Sequence, residues 1–298
     1  MQKIKAILLL GALMTSGVAS ADLSTGLIAH YSFDDCTATD ASGNGYDGAI
    51  NTSQNCVAGI SGTDKALTFN GIDNTISVQN SPSLNNITNQ LSVATWIKFN
   101  DIHTASFGHE WQSIFNKQGY TSSYGLMLEY DSNPKLLRFY HNGASSDFTD
   151  YSWNNVKEKQ WYLVVTTYDG VNAKIYINGK LVSNHAVTGS IKTNTEDFYI
   201  GKSVNSLHSY YLNADISDLS IYNRSLNNSE ITELYNAGLT VKGTITSLDS
   251  HIVTCENKTT GQVVNIAKTK ATTYDCEAKG LKVNTGEAIS ISIEGKAK

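Results

Sequence analysis

Beyond its first twenty residues the chain has no apolar run approaching the roughly 20 residues that a membrane helix needs, so no internal helical span is expected. Basic charge is scarce: 22 Lys and Arg stand against 27 Asp and Glu in 298 residues, a net charge of −5. Residues 22–239 hold 21 acidic against 12 basic side chains, net −9, residues 240–298 hold 6 against 8, net +2, and Lys3 and Lys5 complete the total. An acidic main domain repels nucleic acid and suits a cation site or a neutral ligand. Catalytic signatures are missing as well. There is no G-x-S-x-G elbow or phosphate-cradling loop, and His109-Glu110-Trp111-Gln112-Ser113 lacks the second histidine of a zinc-protease helix. Only four cysteines occur, with neither a C-x-x-C pair nor a histidine cluster beside them, which argues against a zinc site.

What is present begins with MQKIKAILLLGALMTSGVASA, two lysines followed by a short apolar stretch and a small-residue end, the pattern of a secretory signal peptide over residues 1–21. Its cut is expected before Asp22, and no cysteine follows closely enough for a lipid anchor. The mature protein is therefore expected to be secreted or periplasmic. Four cysteines suit that compartment. Cys36 with Cys56 and Cys255 with Cys276 are the local pairings, the simplest of the three connectivities that four cysteines allow.

Short alternating apolar runs separated by Asn, Gly, Ser and Asp dominate residues 22–239, as in an antiparallel sandwich. In GLIAHYSF one face is Leu27, Ala29, Tyr31 and Phe33; LSVATWIKF and WYLVVTTYDG are apolar on both faces and should be central strands. In AKIYINGKLVS, Asn178-Gly179 can take the positive φ angles of a type I′ hairpin turn. One helix is expected, capped by Asn227 with Glu230 three residues on, with Ile231, Leu234 and Tyr235 on one face and Gly238 at its end. Residues 240–298 again read as strand and turn, with CENKTTGQVV as a hairpin, in a small module braced by cysteine.

Five segments carry a family likeness: SFDD with SGNGYDG, ALTFNGIDNTISV, LSVATWIKF, QWYLVVTTYDG with IYINGKLV, and IYNRSLNNSEITELYNAG. In this order they resemble the laminin-G-like jelly-roll family of concanavalin A-like sandwiches. The resemblance implies an all-β antiparallel jelly-roll β-sandwich over 22–239, followed by the small all-β domain. It also implies a structural calcium, which takes six to eight oxygen ligands from strand-end carboxylates and loops. By that likeness the ligands would be Asp34, Asp73 and Asp218, with Asn44 completing the shell. Ser217 stands where the family places a further acid.

Hydrolases of similar fold carry Glu-x-Asp-x-x-Glu on one strand; here Glu129-Tyr130-Asp131 begins the pattern and Pro134 replaces its last acid. The chain accordingly reads as non-catalytic, with a divergent glycoside hydrolase or polysaccharide lyase as the minor alternative. The expected partner is an extracellular glycan, or else a cell-surface protein bound by an adhesin or scaffold module. Sugars stack on aromatic platforms beside polar side chains. Trp96 and Trp161 lie in apolar strands and are assigned to packing, whereas Trp111, Trp153 and Tyr151 have polar surroundings and form the candidate ligand platform.

Overall fold

A computed structural model describes residues 22–60, 64–102, 111–117, 123–130, 134–204, 209–239, 242–244, 248–257, 260, 262–269, 273–276, 281 and 289–297. The signal-peptide expectation and residues His109, Glu110 and Asp131 lie outside that set. In chain order the amino-terminal strands are β1 (Leu27–Tyr31), β2 (Gly48–Ile50), β3 (Asn55–Ala58), β4 (Lys65–Asn70) and β5 (Ile76–Val78). A short helix, α1 (Pro82–Asn85), leads into β6 (Leu91–Phe99), β7 (Trp111–Lys117), β8 (Tyr124–Glu129), β9 (Leu136–His141) and β10 (Phe148–Ser152). Then come β11 (Trp161–Tyr168), β12 (Asn172–Ile177), β13 (Lys180–Ala186), β14 (Phe198–Ile200), β15 (Lys202–Val204), β16 (Ser209–Tyr211), β17 (Asn213–Tyr222) and α2 (Asn228–Leu239).

Two antiparallel sheets enclose one core. The eight-stranded sheet runs β13-β12-β11-β6-β17-β4-β3 with β1 also on β17, and the seven-stranded sheet runs β10-β9-β8-β7-β14-β5-β2. Their inner faces meet through Tyr31, Phe69, Ile97, Phe115, Leu126 and Phe139, all essentially inaccessible. As expected from its two apolar faces, β6 is central, held between β11 and β17. Its outward Trp96 stacks on Tyr235 of α2, with ring centres 5.7 Å apart. Trp161 is buried too, beneath the Lys98 ammonium at 4.8 Å.

The opening and closing strands pair as the jelly roll requires, His30 opposite Ser220 and Tyr31 opposite Leu219. One edge of β17 serves two partners, β4 along Asn213–Ile216 and β1 along Leu219–Tyr222. Asp218 stands at the changeover, in a bulge, with φ 49°. Aspartate tolerates this left-handed region better than branched residues do. The hairpin turn follows its expectation, with φ 51° at Asn178 and 76° at Gly179.

The helix cap also forms as a reciprocal box. Asn227 Oδ1 accepts from Ser229 N (2.8 Å) and Glu230 N (3.1 Å), and Asn227 N donates back to Glu230 Oε2 (2.7 Å). Gly238, expected to end the helix, instead lies inside it, one residue before Leu239.

The chain divides into two compact units, one built from residues 21–59 and 65–235 and the other dominated by residues 236–298. In the second, β18 (Lys242–Thr244) pairs with β21 (Thr273–Asp275), while β19 (Leu248–Asn257) lies between β20 (Val263–Thr269) and β22 (Ile289–Ala297). The expected CENKTTGQVV hairpin is the β19–β20 pair, and the buried Cys255–Cys276 disulfide braces this unit. Cys36–Cys56 closes the other expected bridge, across 20 residues of the amino-terminal loop.

Candidate functional site

Strand parity decides which side chains of β7 to β10 face the core and which face away from it. Phe115, Leu126, Phe139 and Thr149 form one cross-strand row and face the core. The flanking rows, Ser113-Met127-Arg138-Asp150 and Asn116-Gly125-Tyr140-Phe148, therefore face outward. Trp111, two residues before Ser113, shares that outer face.

Arg138 organises it. The guanidinium donates from Nε and Nη2 to the two carboxylate oxygens of Asp150, both at 2.8 Å, a bidentate clamp. The guanidinium carbon lies 3.9 Å from the ring centre of Phe148, 5.0 Å from Trp111 and 5.8 Å from Tyr140. Burial works against its charge, yet the hydrogen-bonded Asp150 carboxylate pushes its pKa above the ordinary guanidinium value. Each cation–π contact adds about 0.5–1 kcal/mol where exposed. Phe148 keeps 38% of its surface accessible, while Tyr210, from the β15–β16 hairpin, packs with Met127 and Tyr140. Ser113 Oγ and Asn116 Oδ1 are buried on this face without a hydrogen-bond partner among the described residues. The result is a face with rings at Trp111, Tyr140 and Phe148, open at Phe148 and covered at Tyr140, with Glu129 opposite Trp111; its arginine has further N–H donors beyond the two given to Asp150.

The expected platform is divided by that same parity. Trp153 is 2% exposed and packs edge-on against Tyr162 (4.9 Å) and Phe99 (6.1 Å), so it fills the core and presents no platform. Tyr151 pairs with the buried Leu137 and leans on the core at 6.5 Å from Trp153. Only Trp111 of the three reaches the outer face. Arg138, Tyr140, Phe148 and Asp150 were missed, although Arg138-x-Tyr140 and Phe148-x-Asp150 both carry the two-residue spacing of one strand face.

The four expected calcium ligands are not gathered together. Asp34 Oδ1 accepts from Lys65 N (3.0 Å) at the start of β4. Asp73 Oδ1 accepts from Asn70 Nδ2 (2.8 Å) at the other end of that strand. Five residues of strand separate these anchors, roughly 16 Å at about 3.3 Å per residue, which is beyond the reach of one ion. Asp218 Oδ1 lies 3.8 Å from His30 Nε2. Asn44 Nδ2 donates to Leu27 O (3.1 Å) and Ile28 O (2.9 Å). Among the described residues no three His, Cys, Asp or Glu side chains form a metal-holding group. The set as expected does not fit a single calcium.

The acidic loop has a different centre, Asp40, which had not been singled out. Its Oδ1 accepts from His30 N (3.0 Å) and Ser42 N (2.9 Å), and its Oδ2 from Tyr46 N (3.0 Å) and Ser42 Oγ (2.9 Å). Burial alone would raise this carboxyl's pKa, but these hydrogen bonds to the ionised form hold it below the usual value. The SGNGYD loop is thus tied to β1 by hydrogen bonds.

Residues 70–232, more than half the chain, match the profile of the concanavalin A-like lectin/glucanases superfamily. No curated protein matches the chain. Among solved structures, domain 4 of AbnA, a GH43 extracellular arabinanase from Geobacillus stearothermophilus in complex with arabinotriose, is 25% identical; the match covers 70% of this chain and 98% of that one with a TM-score of 0.54. The binding domain of Paraclostridial Mosquitocidal Protein 1 is 16% identical over 82% of this chain and 64% of its own, with a TM-score of 0.57. The botulinum neurotoxin DC binding domain, solved with rat synaptotagmin II, is 18% identical over 84% of this chain and 64% of its own, with a TM-score of 0.55.

Proposed function

Because the chain belongs to the concanavalin A-like lectin/glucanases superfamily, we propose that it recognises a carbohydrate, without catalysis, on the outer face of the seven-stranded sheet. The observation that carries this reading is the set of Trp111, Tyr140 and Phe148 rings around an arginine neutralised by Asp150. Sugar rings stack on exposed aromatic faces, and the remaining guanidinium N–H groups suit hydroxyl acceptors. The arabinotriose complex of the AbnA domain, at 25% identity, supports a glycan as the ligand class. Two disulfides support export to a secreted or periplasmic location, and no helix of the described residues is long and apolar enough to cross a membrane.

The test is a glycan array followed by calorimetry with Trp111→Ala and Phe148→Ala. Each substitution is expected to weaken a glycan hit about tenfold or more while leaving melting within a few degrees of wild type. Unchanged affinity in both would remove the sheet face from the reading. A protein ligand is the second reading, because arginine and large aromatics are the residue types that dominate protein interfaces. Silence on the array together with a protein partner lost in Phe148→Ala would select it.

A further inference from the structure

A second cleft lies apart from the sheet face, where the start of β1, the Asn44 loop, α1 and the turn after β17 come together. It encloses about 320 Å³, with Asn44, Tyr46, Ser83, Asn86 and Asn223 as walls over a floor formed by residues 26–28. That volume is at the small end of the range for ligand clefts, about 300–1,000 Å³.

The walls are set before any ligand arrives. Tyr46 OH donates to Ser83 Oγ (2.8 Å), Tyr46 O accepts from Tyr31 OH (2.6 Å), and Tyr46 N is held by Asp40. Asn44 gives its amide nitrogen to two carbonyls of β1, which directs its oxygen away from the strand. Gly26 has φ 70°, and a Cβ there would lie 2.7 Å from Asn223 Oδ1, so the floor requires glycine.

No lining residue is charged. The neighbouring cation, Arg224, is engaged by Glu230 at 2.8 Å, Thr25 O at 2.6 Å and Asp22 O at 3.1 Å. A carboxylated ligand would find no free cation among the described residues of the cleft and would meet the ionised Asp40 behind Tyr46. Three amides, a hydroxyl and one aromatic ring, preorganised and uncharged, match a neutral polyhydroxylated ring.

We propose that this cleft is a second glycan subsite, selective for a neutral sugar unit over a uronate. It goes beyond the sheet-face reading and stands independently of Trp111. The experiment titrates arabinotriose, cellotriose and trigalacturonate into the full chain and follows the amide signals of Asn44, Asn86 and Asn223 by NMR. At least one neutral trisaccharide is expected to shift these signals in wild type and in Trp111→Ala alike. Asn86→Trp, at an exposed position, should weaken that response at least tenfold by filling the cleft, Asn86→Ala should weaken it severalfold, and trigalacturonate should leave the signals in place.

Shifts confined to the sheet face and lost in Trp111→Ala would overturn the cleft and keep the first reading. Wild-type response in both Asn86 variants, or equal binding of trigalacturonate, would also overturn it. No shift at either site with any of the three sugars would overturn the subsite and count against the glycan reading itself.

Discussion

Replacing Asp40 tests the claim that hydrogen bonding ties the amino-terminal loop to the sandwich. Asp40→Ala removes the acceptor of three backbone N–H groups, at His30, Ser42 and Tyr46, and of one hydroxyl. Losing the acceptor of a buried donor costs about 1–3 kcal/mol. His30 N is in the β1 strand and has little recourse to water, so it takes about 2 kcal/mol. The Ser42 and Tyr46 donors can reach solvent if the loop shifts, at about 1 kcal/mol each by the same principle. Ser42 Oγ retains the Ile28 carbonyl at 3.2 Å. The sum is about 4 kcal/mol, which for a domain of this size lowers Tm by about 8–16 °C.

Asp40→Asn keeps one acceptor oxygen and should lose about half as much. Its effect has a pH signature. The folded-state pKa of Asp40 is depressed, so its contribution is fully present above the unfolded value of about 3.9 and is lost as pH falls through the folded pKa below that. Wild type and Asp40→Asn should therefore differ in urea unfolding at pH 6 and converge near pH 2. A melting temperature for Asp40→Ala within about 2 °C of wild type, or a gap that persists at low pH, would refute the reasoning.

Trp153→Ala should cost about 3–5 kcal/mol by emptying a core site, measured by urea unfolding, whereas a loss under about 1 kcal/mol would return this ring to the surface. Melting with calcium and with chelator tests the expected ligand set: since one ion cannot reach both Asp34 and Asp73, Asp34→Asn and Asp73→Asn should not both abolish a calcium-dependent rise, and a rise that each abolishes would restore the shared site. Lys117, whose pKa burial lowers to about 8 against the partial opposition of Asp197 and Glu196, binds fewer protons folded than unfolded above that pH. The stability of wild type relative to Lys117→Met should accordingly rise between about pH 8 and 10.5, and a flat difference across that window would contradict the burial.

The sandwich was legible because each of its signals acts over a few residues. Asn178-Gly179 needs only its own positive φ angles, and the Asn227–Glu230 box closes within four positions. The strand-end acids were legible as acceptors, but not as to what they accept. Asp34 caps a strand, Asp73 closes the turn built on Asn70, and Asp218 supplies a left-handed residue at a bulge. A cation and a backbone N–H ask for the same oxygen, and only the length of β4 separates the two readings here.

The aromatic platform failed on register. Trp153 has polar neighbours at Ser152 and Asn154, which suggests a surface ring, yet it extends the core-facing parity of Thr149 and Tyr151. Arg138 and Phe148 lie on strands joined through residues 142–147, and nothing in either strand alone says that Arg138 faces Asp150. A slip of one residue between β9 and β10 would place Tyr151 opposite Arg138 and leave Asp150 facing Phe139. Pairing across the sheet, which the buried row Leu126-Phe139-Thr149 enforces, is therefore what converts four unremarkable residues into a site.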